Sequence, residues 1–180
     1  MQNKKELRKF AKEIRQNIDI NSISKSILQI FFSSKYFINA KNIALYYPYG
    51  TELNIKPILN HDEKNLYLPK INPDLTMTFH KFIDETNLIK DKYGILSPNT
   101  EIINPQIIDL WIVPALMVDK QGYRLGYGKG FYDKLFATVN TQALKLTFIP
   151  EELVVNELPV DEYDVPVDIA ISQHNIYKFY

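Results

Sequence analysis

An unbroken run of four apolar residues at 110–113, Leu-Trp-Ile-Val, constrains the fold of this chain more than any other segment. Strands that are buried on both faces of a sheet carry such continuous runs, whereas strands with one wet face alternate apolar and polar residues. A second run at 43–47, Ile-Ala-Leu-Tyr-Tyr, stops at Pro48 and predicts another buried strand. Because both faces of such strands have to be covered, the sequence predicts a sheet between two layers of helices.

Two amphipathic helices are predicted ahead of these strands. Apolar residues at spacings of three and four form one stripe on a helix. In the first helix this stripe consists of Leu7, Phe10, Ala11, Ile14 and Ile18. For the second helix, Asn21 or Ser22 is the predicted N-cap, because a short polar side chain satisfies the free N–H groups at a helix start. The apolar residues expected to face inward from it are Ile23, Ile27, Ile30 and Phe31.

Further strands and helices alternate along the rest of the chain. Strands are predicted at 66–68, ending at Pro69, and at 75–82, 144–149 and 169–171, while helices are predicted at 52–59 and 130–137. A loop is predicted over 93–98, starting at Tyr93. Strands interleaved with helices indicate an α/β fold. We therefore predict one domain over 1–180, a three-layer sandwich whose mainly parallel sheet is flanked by helices.

Composition narrows the class of protein. The 21 basic and 21 acidic side chains give a formal net charge of zero, whereas a general nucleic-acid binder carries a basic surplus. With no cysteine, the chain has neither disulfides nor thiolate chemistry. It has no run of ~18 apolar residues of the kind that crosses a membrane, and its charged N-terminal segment is unlike a secretory signal. We expect a cytoplasmic protein without a nucleic-acid or membrane partner.

Four of the six glycines, Gly122, Gly126, Gly128 and Gly130, fall within nine residues. Glycine lets the backbone adopt positive φ and approach a bound group closely, and successive N–H groups in such turns form a nest for anions. Apolar residues at helical spacing follow the cluster, so a helix N-terminus should add further free N–H groups. The cluster also follows the strand at 110–113, and ligands bind beyond the carboxyl ends of such strands.

Charged side chains within and just after the glycine cluster indicate a phosphate ligand. Arg124 and Lys129 suit phosphate, and Asp133, in the first turn of the following helix, is placed to hold a divalent cation. The spacing matches neither the P-loop nor the dinucleotide fingerprint, and a plain glycine-rich turn is the structural alternative. From its residues alone, the segment is predicted to bind a nucleotide or another phosphate, together with a divalent cation.

The segment 124–133, Arg-Leu-Gly-Tyr-Gly-Lys-Gly-Phe-Tyr-Asp, resembles the 5-formyltetrahydrofolate cyclo-ligase family. The resemblance extends along most of the chain. Lys4, Leu7 and Arg8 match the K-x-x-L-R of the family's first helix, the strand at 44–48 is followed by Glu52, and 164–169 matches the family's acidic stretch. The resemblance implies ATP-driven, Mg²⁺-dependent conversion of 5-formyltetrahydrofolate to 5,10-methenyltetrahydrofolate, with release of ADP and phosphate.

The resemblance also implies roles for residues at the phosphate end of the site. Lys129 and Arg124 would place the catalytic positive charge. Asp133 and Asp164 would hold Mg²⁺, with Asp168 as a further neighbour. The residues implied for ATP binding are Lys4, Arg8, Arg124, Leu125, Gly126, Tyr127, Gly128, Lys129, Gly130, Phe131 and Tyr132.

For the folate, the resemblance implies Tyr47 and Glu52. A carboxylate can accept the paired N–H donors of the amino-pyrimidine edge of the pterin, and an aromatic ring can pack on the ring system. Each residue also has a structural interpretation, with Tyr47 in the core, Glu52 at a helix start, and Lys4 with Arg8 on a solvated helix face. The three histidines show no metal-binding spacing and are expected at the surface: His61, His80 and His174.

Three other functions fit less of the sequence. A non-catalytic nucleotide- or folate-binding regulator on the same fold would not need both a metal carboxylate and a folate glutamate. A sugar-phosphate isomerase would need an acid–base residue over the sugar, and the sequence offers no candidate. An RNA-binding protein conflicts with the neutral net charge. We expect an enzyme that works as a monomer, with the regulator as the alternative.

Overall fold

A seven-stranded sheet forms the centre of the computed structural model, which describes residues 3–91, 94–139 and 142–180. The strands are β1 (Asn42–Ala44), β2 (Asn65–Ile71), β3 (Met77–Lys81), β4 (Leu88–Lys90), β5 (Leu96–Pro98), β6 (Leu110–Ile112), β7 (Met117–Asp119), β8 (Arg124–Leu125), β9 (Leu144–Phe148), β10 (Val154–Val155), β11 (Ile169–Ile171) and β12 (Ile176–Lys178). The α-helices are α1 (Lys4–Asn17), α2 (Ile20–Phe32), α3 (Lys35–Asn39) and α4 (Phe131–Thr138). Short 3₁₀ helices cover Lys56–Asn60, Glu85–Asn87, Pro105–Ile107 and Glu151–Leu153.

The central sheet is parallel in its interior and antiparallel at its two edges. Its strand order is β12-β11-β9-β6-β1-β2-β3. The four inner pairings, from β11 through β9, β6 and β1 to β2, are parallel. The edge strands β3 and β12 pair antiparallel with β2 and β11, because each follows its neighbour through a short turn and a parallel pairing would need a longer crossover. The predicted mainly parallel sheet is confirmed.

Side chains of the inner strands alternate between two apolar cores, one on each face of the sheet. Leu110 and Ile112 pack into the core formed with α2 and α3. Trp111 and Val113 pack into the opposite core, which includes apolar side chains of α1 and α4. The Trp111 ring meets Phe79 edge-on, with ring centroids 5.0 Å apart. Helices therefore cover both faces, which confirms the three-layer arrangement.

The first two helices begin at side-chain caps. Asn3 caps α1 through a capping box with Glu6, in which each side chain accepts from the backbone N–H of the other residue. Phe10, predicted on the buried stripe, is 46% exposed, because the apolar contacts of α1 are made by a narrower stripe around Ala11. The predicted N-caps of α2 are wrong. Asp19 caps this helix, and its carboxylate accepts from the backbone N–H of Ser22, where a negative charge also suits the helix dipole.

Several element boundaries differ from the predictions. The buried run at 43–47 is a strand only as far as Ala44. The helix predicted at 52–59 is the 3₁₀ helix Lys56–Asn60. Strand β2 continues through Pro69, because the ladder to β1 ends at Tyr67 and the missing proline N–H is not needed on that side. Within the predicted loop at 93–98, Tyr93 lies outside the described residues and Leu96–Pro98 forms β5.

A second small sheet has the strand order β10-β7-β8. Its strands β7 and β8 stand in the sequence between the strand at 110–113, which the glycine cluster was predicted to follow, and the glycines Gly126, Gly128 and Gly130. Gly122 belongs to the β7–β8 turn, where its φ is +88° and a Cβ would lie 2.6 Å from the carbonyl oxygen of Val167. The Asp119 carboxylate holds this turn by accepting from the backbone N–H groups of Gln121 and Tyr123. Gly122 thus serves packing, and the other three glycines form the loop at the site.

None of the helices in the described part of the chain has the length and apolar character that crossing a membrane requires.

Candidate active site

A cavity of about 480 Å³ opens beyond the carboxyl ends of β1, β2 and β6. The segments that follow β1 and β6 line it, together with the last residues of β2. This is the position where open parallel sheets bind their ligands. The cavity has a polar end, which is built from α1, the glycines at 126–130 and the start of α4. Its second end is built from residues that follow β1 and from the hairpins β2–β3 and β4–β5. The structure brings every predicted site residue except Asp168 to this one cavity.

The glycine loop, here defined as 126–130, forms the floor of the polar end. Gly128 and Gly130 have φ angles of +97° and +66°, which L side chains rarely adopt. Gly130 is the N-cap of α4 and offers no side-chain cap, so the first N–H groups of that helix remain available to an anion. Lys129 is exposed between the two glycines and lines the cavity.

Arg8 lies across this loop. Its Nε donates to the carbonyl oxygen of Gly126 at 2.8 Å. A Cβ at Gly128 would lie 3.3 Å from the central guanidinium carbon of Arg8, a close contact that forces the neighbour to shift. The missing side chain at Gly128 therefore permits both the backbone turn and the approach of Arg8, so that the cation and the loop N–H groups face the same space.

Lys4 lies one helical turn before Arg8 and also lines the cavity. Its Nζ donates to Asp161 at 2.7 Å and also to Asp164. Burial lowers the pKa of Lys4, but the hydrogen bonds to Asp161 and Asp164 outweigh burial and raise it overall. Lys4 therefore stays charged at neutral pH. The interpretation of Lys4 and Arg8 as a solvated helix face is wrong, since both contact residues far away in the sequence.

Arg124 and Asp133 form a buried ion pair at the other side of the loop. The Arg124 side chain is 5% exposed, and its Nη2 donates to Asp133 Oδ1 at 2.8 Å. Burial lowers the pKa of Arg124 and Asp133 counteracts this, although an arginine keeps its charge in proteins. The Arg124 Nε is buried without a hydrogen-bond partner in the part of the chain that the structure describes.

Two of the predicted metal ligands lie close together. Asp133 Oδ1 also accepts from the backbone N–H of Val165 at 3.3 Å, which places Asp133 beside the segment that carries Asp164. Residues 3–91, 94–139 and 142–180 contain no group of three or more His, Cys, Asp or Glu arranged around a metal position. Mg²⁺ usually takes only one or two protein carboxylates and completes its shell with phosphate oxygens and water. The pair Asp133 and Asp164 fits that mode of binding.

Asp168 lies elsewhere. It stands at the amino end of β11, accepts from the backbone N–H of Lys145 at 2.7 Å, and pairs with the Lys145 Nζ at 3.1 Å. It does not line the cavity. The family resemblance implied Asp168 as a neighbour of the metal ligands, but the two carboxylates have different partners, since Asp164 accepts from Lys4 and Asp168 accepts from Lys145.

Glu52 marks the second end of the cavity. Its Oε2 accepts from the backbone N–H of Tyr49 at 2.8 Å, and the Tyr127 hydroxyl is a further hydrogen-bond partner. Burial raises the pKa of Glu52 to about 7, although the Tyr49 N–H, the Tyr127 hydroxyl and the positive charge of Arg15 counteract the rise. The carboxyl therefore changes charge near neutral pH. Tyr127 belongs to the glycine loop, so this hydrogen bond joins the two ends of the cavity.

Tyr47 lies beside Glu52 on the cavity wall. Its hydroxyl donates to Glu85 Oε1 at 3.0 Å, and the Lys56 Nζ lies 4.6 Å from its ring centre. The side chain is largely buried and belongs to the apolar core, which confirms its structural interpretation. Because Tyr47 also lines the cavity, its role toward the folate stays a prediction.

Other lining residues were missed by the sequence analysis. An apolar wall comes from the hairpins β2–β3 and β4–β5: Pro69, Ile71, Met77 and Leu96. No local signal marks these residues, because only the pairing of the hairpins brings them to the cavity. Arg15, which lies behind Glu52 and does not line the cavity, was also missed, although arginine is rare in this lysine-rich chain. His80, expected at the surface, is buried between Thr78 and the carbonyl oxygen of Thr100.

The fold and the cavity together define an α/β protein with a glycine loop and several cations beside a largely apolar cleft. The model of the 5-formyltetrahydrofolate cyclo-ligase family matches residues 1–173. The chain belongs to this family, and the family resemblance predicted from the sequence is confirmed, together with the assignment to ligases of folate one-carbon metabolism.

Relatives that are named as cyclo-ligases or synthetases of this family resemble the chain over nearly its whole length. The 5-formyltetrahydrofolate cyclo-ligase of Haemophilus influenzae is 28% identical, and the alignment covers 95% of this chain and 98% of that protein. The cyclo-ligase of Mycoplasma genitalium is also 28% identical, with the same coverage. The NMR structure of 5,10-methenyltetrahydrofolate synthetase from Aquifex aeolicus superposes with a TM-score of 0.87 at 31% identity, covering 98% of this chain and 92% of that one.

Proposed function

We propose that this protein converts 5-formyltetrahydrofolate to 5,10-methenyltetrahydrofolate, with ATP as co-substrate and Mg²⁺ as the metal. The observation that carries the proposal is the single cavity of about 480 Å³, which places the glycine loop with its cations at one end and Glu52 with Tyr47 at the other. Ring closure needs both substrates in one space, because the γ-phosphoryl group of ATP has to reach the formyl oxygen of the folate.

The reaction explains why two binding sites have to meet. A formamide carbonyl is a poor electrophile and its oxygen is a poor leaving group. Transfer of the γ-phosphoryl group to that oxygen breaks the bond to ADP and gives an activated imidate-like phosphate. The N10 amine of the same folate attacks the activated carbon, the ring closes, and phosphate leaves with the oxygen. Since nucleophile and electrophile are tethered, proximity supplies much of the rate, and the protein has mainly to align the substrates and neutralise charge.

The glycine loop and α1 supply the phosphate site in this proposal. Backbone N–H groups of the loop and of the first turn of α4 donate to phosphate oxygens. Lys4 and Arg8 place positive charge from α1, while Lys129 and Arg124 place it from the loop side. Arg8 is held over the loop by its hydrogen bond to Gly126, so its charge is positioned before any ligand binds.

The carboxylates Asp133 and Asp164 fit Mg²⁺ held together with phosphate oxygens. The metal would neutralise charge on the transferring phosphoryl group. Each carboxylate already has a cationic neighbour, Arg124 for Asp133 and Lys4 for Asp164. These ion pairs fix the carboxylates beside the cations that the phosphate needs, so metal and phosphate can be held by one set of elements.

Glu52 and Tyr47 form the folate site in this proposal. An ionised Glu52 can accept the two parallel N–H donors of the amino-pyrimidine edge, and the Tyr47 ring can pack on the pterin. The apolar wall from the β2–β3 and β4–β5 hairpins gives the rest of the ring system and its linker a surface to cover. We further propose that the enzyme works as a monomer in the cytoplasm.

The test follows formation of the methenyl product by its near-ultraviolet absorbance. Purified protein is mixed with 5-formyltetrahydrofolate, ATP and Mg²⁺ at neutral pH, because acid alone closes the ring, and each component is left out in turn. We expect absorbance to rise only in the complete mixture, with one ADP formed per methenyl product. Binding of ATP or folate without turnover would contradict the proposal and favour the regulatory alternative.

A further inference from the structure

Arg15 is a buried arginine on α1 that faces the loops behind Glu52. It is 3% exposed. Its Nη2 donates to the carbonyl oxygen of Ala115 at 2.7 Å, and its Nη1 donates to the carbonyl oxygen of Thr51 at 3.3 Å. These two carbonyls belong to different segments, one after β1 and the other after β6. One guanidinium thus ties together the two loops that leave adjacent parallel strands beside the cavity.

Stability alone does not explain a charge at this position. A buried cation loses its hydration, and it stabilises a fold only when well paired. Arg15 forms no ion pair with a carboxylate within 4.0 Å in the described part of the chain, and its Nε has no hydrogen-bond partner there. An apolar side chain of similar volume would avoid the cost of burying a charge, but it would not donate to the carbonyl oxygens of Thr51 and Ala115.

Several ionisable groups surround Glu52, and Arg15 is the cation among them. Tyr127 of the glycine loop donates to Glu52, and the negative charge of Glu52 helps to raise the pKa of Tyr46, after β1, and of Tyr132, on α4. Burial raises the pKa of all three tyrosines, so they are neutral at neutral pH. Arg15 is the cation among the groups acting on Glu52, and it also anchors the peptide carbonyl next to it.

We propose that Arg15 is a positioning residue for the folate site, which fixes the backbone at Thr51 and Ala115 and balances the negative charge of Glu52. The inference rests on the proposed function of Glu52. Arg15 does not line the cavity, so it acts through Glu52 and touches neither substrate. Its effect should therefore fall on the folate and leave ATP largely unaffected.

The test compares Arg15→Met, which removes the charge, with Arg15→Lys. The lysine keeps the charge but lacks the guanidinium that donates to both Thr51 and Ala115. The matched control is Lys12→Met, because Lys12 is an exposed cation on the same helix. We measure kcat and KM for each substrate and the dependence of kcat/KM for the folate on pH. For Arg15→Met we expect the folate KM to rise about tenfold or more, a change equal in size to the loss of one charge-assisted hydrogen bond. The ATP KM should stay within about threefold of wild type.

The pH profile separates a role in charge balance from a merely structural role. Arg15→Met should move the inflection due to Glu52 to higher pH by about half a unit or more, while Arg15→Lys should leave it near the wild-type position. Lys12→Met should match wild type in all readouts. Unchanged folate KM and an unchanged inflection in folded Arg15→Met would overturn the proposal. If Arg15→Met does not fold, the KM values of Arg15→Lys provide the test. Equal increases of the folate KM and the ATP KM in Arg15→Lys would overturn the proposal.

A direct titration distinguishes failure of this inference from failure of the proposed function. The Glu52 carboxyl is followed by carbon NMR in wild type and in the Arg15 variants, without any substrate, and Glu52→Gln assigns the signal. A higher Glu52 pKa in Arg15→Met supports charge balance by Arg15 even if the protein proved inactive on folate. An unchanged pKa would overturn that part of the inference even if the wild-type enzyme turned over as proposed.

Discussion

Arg124 and Asp133 are nine residues apart and close the glycine loop into a ring, with the Arg124 Nη2 2.8 Å from Asp133 Oδ1. The pair links β8 to the first turn of α4, on either side of 126–130. A cation that suits phosphate and a carboxylate that suits Mg²⁺ are thus held side by side by one interaction. Because the ion pair is largely buried, its geometry is well defined before a ligand arrives.

The first prediction concerns the charge of Asp133. Asp133→Asn keeps an oxygen that can accept from Arg124 and from the Val165 N–H, so the loop should keep its shape. The loss of negative charge should raise the Mg²⁺ concentration needed for half-maximal rate at least about tenfold. A titration of the rate with Mg²⁺ at saturating ATP and folate measures this. Asp161→Asn is the control, since the exposed Asp161 also contacts Lys4. An equal loss in the control would assign the effect to overall charge.

The second prediction separates the two ends of the cavity. Glu52→Gln replaces one carboxylate oxygen by an N–H₂ group, which opposes the paired donors of the pterin. We expect the folate KM to rise by about tenfold to a hundredfold, the cost of an unmatched charged hydrogen bond, and the ATP KM to change by less than about threefold. Steady-state kinetics with each substrate varied in turn gives both values. Equal changes for both substrates would indicate a structural role for Glu52, for instance through its bond to the Tyr49 N–H.

The polar end of this site was predictable because its signals are local. The glycine loop, Lys129 and Asp133 occupy a short stretch of sequence, and their chemistry follows from backbone geometry and charge. Lys4 and Arg8 needed the family resemblance, since their spacing equally fits a solvated helix face. The sequence grouped Gly122 with the three glycines of the loop, whereas the structure shows Gly122 in the β7–β8 turn, packed against Val167.

The apolar end and the support behind it were not predictable, because they depend on contacts between distant segments. Met77 and Leu96 reach the cavity through hairpin pairing, which no local pattern specifies. Arg15 occupies a helix position where a charged residue is ordinarily solvated, and its burial follows from how α1 packs against two loops. The layers of the fold were predictable, since continuous apolar strands leave few alternatives.

The third prediction tests the glycine loop. Gly128→Ala introduces a Cβ at a φ of +97° and at 3.3 Å from the Arg8 guanidinium, so it strains the backbone and displaces Arg8. Gly130→Ala is the matched control, because its φ is +66° and its Cβ would meet nothing within 4 Å. Both should lose about 1–2 kcal/mol of unfolding free energy from strain. The ATP KM should rise more in Gly128→Ala, and thermal unfolding with steady-state kinetics measures both effects. Equal ATP KM values would exclude a contribution from Arg8 displacement.

The fourth prediction concerns stability and pH. Burial raises the pKa of Glu52 from 4.5 to about 7, so the folded protein binds more protons than the unfolded chain between these values. Unfolding free energy should therefore fall as pH rises through this window and stay lower above it. Glu52→Gln removes the effect, so the variant should gain about 1–3 kcal/mol over wild type by about pH 8, after allowance for partial exposure, and much less at about pH 5. Urea unfolding across this range measures the difference.

The control is Glu101→Gln, at an exposed glutamate, whose unfolding free energy should follow that of wild type at every pH. A constant difference between Glu52→Gln and wild type at every pH would show that Glu52 does not titrate in this window, and the carboxylate that we propose for folate binding would then be ionised at all of these pH values.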